Sequence, residues 1–200
     1  MALHSRSDSI QTHRQILLAA CSLAIQSGPN GLTIDGVAKE AGMSKGGVLY
    51  HFPSKEALIL GLMKLHFSSA WAGFRVHWKA DPRVEGRWHR AWIRSTFEGL
   101  RRVEDMENAA LFATVTTNPE LAEYLRRQFA RIQTCLGFDG LDPHWSRLLV
   151  SSVVGLRYDR LFRFCWDSVR SLEHLENNAL VLLEEIVQLK TGQHSQIFGN

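Results

Sequence analysis

Cysteine is scarce in this chain. Cys21, Cys135 and Cys165 are its three cysteines, far apart in sequence and without a CxxC pair. That excludes a disulfide framework and a zinc knuckle, and it fits reduced thiols in a cytoplasmic protein. A surplus of one charge is missing as well. Lys and Arg number 23 against 20 Asp and Glu, a net +3, which is too little for a general polyanion-binding tail. No run of about eighteen apolar residues appears, and no basic start leads into an apolar stretch. Neither a membrane span nor a signal peptide is therefore expected. Internal repeats and low-complexity tracts are lacking. So are a GxSxG elbow, a glycine-rich phosphate loop and an HxxxH pair beside an acid. His66 and His77 fall on a similar helix face but about 16 Å apart along the axis, too far to share an ion. No metal, no cofactor and no enzymatic activity are expected.

What the chain does have is apolar mass: 45% apolar residues, 10% aromatic and six tryptophans. That suffices for a sizeable core. The stretch from Thr33 to Leu58, TIDGVAKEAGMSKGGVLYHFPSKEAL, is the most informative. Thr33 can cap a first short helix, in which Ile34, Val37, Ala38 and Ala41 form one apolar stripe. Gly42 falls where a left-handed residue would end it. Ser44 caps a second helix, Lys45 to about His51, which Pro53 stops. Ser54 caps again, opening a longer helix. Two short helices joined by a glycine-bearing turn form a helix-turn-helix. On the second helix Val48 and Phe52 face the core. Gly46, Gly47, Tyr50 and His51 lie on the other side, flanked by Lys45 and Leu49. Such a helix suits a B-DNA major groove. Tyr50, Lys45 and Lys55 can reach phosphates, and His51 a phosphate or a base edge.

This segment resembles the DNA-binding module of the TetR/AcrR family of bacterial transcriptional regulators. The resemblance rests on Thr33, Val37-Ala38, Ala41-Gly42, Ser44, Gly46, His51-Phe52 and Ser54-Lys55-Glu56-Ala57-Leu58, and it spans about residues 10 to 65. At one position the chain departs from the family, which usually places a phosphate-contacting tyrosine where Leu49 stands; Tyr50 follows immediately. The resemblance implies a DNA-binding role for Thr33, Ser44, Lys45, Gly46, Gly47, Tyr50, His51 and Lys55. It also implies a first helix packed across the other two.

Along the chain, residues 1–8 read as a polar, mobile arm, with Arg6 a candidate groove or phosphate contact. A first helix starts at Ser9 or Thr12 and ends near Ser27, before the breaker Gly28-Pro29-Asn30-Gly31. The fourth helix runs from Ser54 to about Ala80, a fifth from Val84 to Arg102, and a sixth from Glu104 to Thr116. Asn118-Pro119 and Asp142-Pro143 each read as a cap followed by proline in the first helical position. The helices they open end near Cys135 and Asp167. The last helix covers Ser171 to Lys190. The expected fold is all-α, about nine helices. Residues 1–53 form a DNA-binding domain and residues 54–200 an effector-binding and dimerisation bundle.

Trp71, Phe74, Trp78, Trp88, Trp92, Phe112, Phe162 and Trp166 are candidates for a pocket between helices, where bundle ligand sites form. Plain core packing would use the same residues. The resemblance favours the pocket, since family members usually bind a small effector in this region. Leu172, Leu175, Ala179, Leu182 and Ile186 recur at three- and four-residue spacing on the last helix, with Leu156 on the helix before it. The resemblance implies that these two helices pair with their copies in a homodimer. The reading is a ligand-responsive regulator, a repressor. It binds a near-palindromic operator as a dimer, and a small-molecule effector releases it. The alternatives are a helical dimer acting through protein contacts and a DNA-binding regulator without a ligand.

Overall fold

A computed structural model describes residues 2–101, 118–162 and 169–191, with the side chains of 2–8, 28–30, 157–158, 160–162, 169–171 and 191 left aside. Among the described residues all regular structure is helical. The helices are α1 (Ala2–Gly31), α2 (Ile34–Glu40), α3 (Lys45–His51), α4 (Lys55–Ala80), α5 (Arg87–Arg101), α6 (Pro119–Gly137), α7 (Pro143–Phe162) and α8 (Val169–Thr191). The expected helix from Glu104 to Thr116 lies outside the described residues. Eight described helices agree with the expected all-α fold.

Most helix starts follow their caps. The Asn118 carboxamide oxygen accepts from the amides of Glu120 (2.9 Å) and Leu121 (3.1 Å), and Pro119 takes the first helical position. Asp142 does the same for His144 (2.9 Å) and Trp145 (3.2 Å). Each cap satisfies donors that the helix cannot satisfy itself. Three boundaries differ from expectation, one of them the start of α5, which lies at Arg87 after the left-handed Gly86 (φ 69°) and not at Val84. α1 begins at Ala2 and not at Ser9 or Thr12, and it continues through Gly28-Pro29-Asn30 to Gly31. Its last turn is tight: a Cβ on Gly31 would lie 2.2 Å from that of Ser27.

The described helices fall into two compact units. The first holds α1, α2, α3, α4 up to Phe67 and the start of α6 up to Leu125. Its core gathers Ile16, Leu17 and Ala20 from α1, Val37 and Ala38 from α2, Val48 from α3, and Leu58, Ile59, Leu62 and Met63 from α4, with Phe52 and Leu121. The second unit holds α4 from Ser68, α5, the rest of α6, α7 and α8. Phe74, Ala91, Trp92, Ile93, Phe97, Leu149, Val153, Leu172, Leu183 and Ile186 are buried in its core. α4 is long, with an 18-residue window of mean hydropathy 1.2. Of its apolar residues Leu58, Ile59, Leu62, Met63 and Phe74 are buried in the two cores, while Val76 stands exposed. This is the helix of a folded core, not a membrane span.

Candidate functional site

α2 ends in a Schellman turn. Gly42 adopts φ 67°, the amide of Met43 donates to the carbonyl of Ala38 (2.9 Å), and that of Gly42 to Lys39 (3.2 Å). Both bonds satisfy carbonyls orphaned at the helix end. The Gln15 side chain of α1 adds a third, donating to the Ala41 carbonyl at 3.1 Å. Thr33 and Ser44 cap α2 and α3, accepting from Gly36 (3.0 Å) and Gly47 (3.1 Å). Their hydroxyls are thus already engaged in shaping the module. α3 then has two sides. Val48 is fully buried and Phe52 nearly so. Tyr50 projects outward, 83% exposed.

The other candidates of this face sort differently. Lys45 is exposed and paired with Asp35 of α2 at 2.9 Å, a partner the sequence reading did not single out. An exposed ion pair contributes about 1 kcal/mol or less, so a phosphate can displace the carboxylate. Gly46 is open, with nothing within 4 Å of where a Cβ would stand. Gly47 is not: a Cβ there would meet the Met43 methyl and the Ser44 hydroxyl, each at 3.3 Å. Gly47 is half-buried beside these two side chains of the turn. His51 is half-buried, edge-on to Tyr50 at 5.2 Å between ring centroids. Lys55 is half-buried at the start of α4. His13 of α1 stacks on Phe52 at 4.3 Å and stands 6.2 Å from His51. Partial burial first, then the charges of His51 and Lys64, pull His13 below the usual imidazole value.

In the second unit, the aromatic residues form a connected row. Trp71 meets Phe74 at 5.4 Å, Phe74 meets Trp88 at 5.8 Å, and Trp88 meets Trp78 at 5.2 Å. Phe138, in the loop after α6, extends the row from Trp88 at 5.2 Å and is largely exposed. Trp92 is buried in the same core. Phe112, Trp166 and the Phe162 side chain lie outside the described residues. Two guanidiniums cover the row: Arg131 over Trp71 and Arg87 over Trp78, each 4.4 Å from the ring centroid. Sequence spacing could bring Trp71, Phe74 and Trp78 onto one face. It carried no signal for Phe138 or for Arg131, which arrive from other elements, whereas Arg87 stands next to Trp88 in the sequence.

The last helix divides its stripes differently from the expected seam. Leu172 and Ile186 are buried with Leu183 and Val187 in the unit's own core. Leu175 and Ala179 are half-buried against the same core, and so is Leu156 of α7. Of the expected interface residues Leu182 is the exposed one, and Val181 and Leu189 join it outside. On a helix of 3.6 residues per turn Leu182 falls at the edge of the arc these residues share, so it is the one left outside.

Two buried polar groups were not anticipated. Asp139 lies in the loop after α6. It accepts from the first amides of α5, Trp88 (3.2 Å) and His89 (2.9 Å), and from the His89 ring Nδ1 at 2.7 Å. His89 Nε2 then stands 2.7 Å from the Ser146 hydroxyl. The line looks like a nucleophile, base and acid. However, His89 and Asp139 are buried, and the amides at the turn of Ser146 are engaged by Asp142. It acts as a clamp joining α5, α7 and the loop between α6 and α7. Nearby, Arg90 donates to Asp81 at 2.5 Å and to Glu184 of α8 at 3.2 Å. Burial pushes the Asp81 carboxyl up, but the bonds from Arg90 and the Arg83 amide outweigh it and hold it below the usual value.

Residues 16–62 match the model of the bacterial regulatory proteins of the tetR family, and residues 86–179 match a tetracyclin repressor-like C-terminal domain. Solved structures with the same fold include a transcriptional regulator from Rhodococcus sp. Rha1, at 24% identity and a TM-score of 0.72, covering 88% of this chain and 96% of that one. A tetR-family regulator from Mesorhizobium loti matches at 21% identity and 0.67, covering 90% and 97%. The multidrug binding protein EbrR in complex with malachite green matches at 21% and 0.65, covering 85% and 96%.

Proposed function

Because this chain belongs to the TetR family of DNA-binding transcriptional regulators, we propose that it is a homodimeric repressor released from a near-palindromic operator by a small aromatic effector. Residues 1–53 are the reading head, with Thr33, Ser44, Lys45, Gly46, Gly47, Tyr50, His51 and Lys55 at or behind the DNA surface. Residues 54–200 carry the effector site and the dimer face. The observation that carries this reading is the two-sidedness of α3. One side is locked into a core by Val48 and Phe52, while Tyr50 and Lys45 stand exposed. A short helix held rigidly from behind and open in front can enter a major groove, and its position is set by phosphate contacts. In a two-fold dimer the second copy lies about one DNA turn away, roughly 34 Å. A regulator of this kind works in the cytoplasm, where the chromosome is.

The aromatic row of the second unit supports an aromatic effector, as does the dye held by EbrR. Release needs an effector that binds two states with different affinity. α4 contributes residues to both units, so a shift in its second half reaches the reading head through a continuous helix. Typical coupling of about 1–3 kcal/mol lowers operator affinity some 5- to 150-fold. A gel shift with the DNA flanking the protein's own gene, at fixed salt, with and without aromatic compounds, tests this. A retarded band that an aromatic ligand abolishes is expected. Tight ligand binding with unchanged operator affinity would exclude the release mechanism, and no shift on any flanking DNA would exclude autoregulation.

A further inference from the structure

The aromatic row is not uniform along its length. At the Trp71 end the indole N–H donates to Gln128 at 3.4 Å, beneath the Arg131 guanidinium. At the Trp78 end the indole N–H is buried without an acceptor. The Arg87 guanidinium lies over that same ring, and its Nε–H is also buried without an acceptor. Two orphan donors therefore sit on two stacked groups, one of them cationic. A buried donor without a partner is costly, more so when charged, and an oxygen acceptor brought to it recovers that cost. Trp88 lies 5.2 Å from Trp78 and in turn 5.2 Å from the exposed Phe138, so a line of rings leads from these donors to the surface.

We propose that Trp78 and Arg87 bind the carboxylate of an aromatic acid whose ring lies against the edge of the Trp88–Phe138 pair. The proposal rests on the effector reading above and names the chemical class of that effector. A carboxylate offers in one plane the two acceptors that a side-on guanidinium and an indole N–H require. The neighbouring acid does not oppose it, since Asp139 is closed off by two amides and the His89 ring. Arg87 shifts from the face of Trp78 to the carboxylate. It exchanges a cation–π contact for a stronger charge-assisted hydrogen bond. A cationic dye meets Arg87 as a like charge and gains nothing from either donor.

The probes are 2-naphthoate, its neutral analogue 2-naphthamide, and ethidium, titrated calorimetrically into the full-length protein. The indole N–H of Trp78 is followed by nitrogen-15 NMR. Naphthoate is expected to bind roughly tenfold or more tightly than naphthamide and to move the Trp78 resonance downfield. Trp78→Phe keeps a ring and removes the N–H, and Arg87→Gln removes the charge. Each is expected to abolish most of the acid's advantage while naphthamide still binds. Equal affinity for acid and amide, tighter binding of ethidium, an undiminished advantage in both variants, or no naphthoate binding at millimolar concentration would each overturn the assignment. Operator release is scored separately. Naphthoate bound at Trp78 without loss of DNA affinity leaves the site standing and removes the effector role. Release by a neutral or cationic aromatic, with no preference for the acid, does the reverse.

Discussion

Gly42 is the residue on which the turn between α2 and α3 depends. Its φ of 67° is a conformation that costs other L-residues roughly 1–2 kcal/mol, and a Cβ there would touch nothing within 4 Å. Gly42→Ala therefore isolates backbone strain from packing. It is expected to lower the unfolding free energy by about 1–2 kcal/mol, read from urea titration, with α3 loosened relative to α2. Lys45 acts at the same scale through charge. If it leaves Asp35 for a phosphate, Lys45→Ala weakens binding about equally across DNA sequences. It also reduces the salt slope by about one per reading helix. Anisotropy titrations at several salt concentrations measure this, and an unchanged slope would remove Lys45 from the interface. Both residues were legible in the sequence, because caps and turn glycines act over four or five positions. At Gly47 a helical wheel shows direction but not the neighbouring Met43 and Ser44 side chains that a Cβ would meet.

Among the elements, α5 depends most on distant residues. No side chain of its own caps its first turn; Asp139, some fifty residues later, does so. Arg90 of the same helix is buried with Asp81 just before it and reaches Glu184 of α8. The Asp81 carboxyl is held below its ordinary 3.8, so its contribution to stability is complete above that value and fades as pH falls through the lower folded value. Asp81→Asn leaves Arg90 short of one partner. It is expected to cost about 3 kcal/mol at neutral pH and to flatten the loss of stability below about pH 4. Urea titrations at neutral and acid pH check both parts, and an unchanged acid limb would assign it to other carboxylates. None of this was readable from spacing. Asp139 and Asp81 look like loop acids in the sequence, and only the approach of α5 makes them structural.

For the whole molecule, the proposed dimer places one face of α8 against a second copy. The buried side carries Leu172, Leu183 and Ile186, which the chain's own core occupies. Val181 and Leu182 stand outside, 59% and 37% exposed. Val181→Asp combined with Leu182→Glu is expected to give a monomer by sedimentation that keeps its helical circular dichroism and loses operator binding. Leu183→Ala is expected to lower stability by about 2–5 kcal/mol instead, since it empties a core position. A double variant that stays dimeric would move the interface off this face.

By itself the sequence determined the all-α class, the caps of α2, α3, α6 and α7, the turn at Gly42 and the split of α3 into a core side and an open side. All of these are set by residues within a turn or two of one another, where hydrogen-bond and apolar periodicities are short. Tertiary structure alone decided the pairing of Lys45 with Asp35, the clamp on α5, the side of α8 left free and the two orphan donors at Trp78 and Arg87. Each of these joins side chains from different elements. Whether two such groups meet depends on how helices pack in three dimensions, and no local period encodes that.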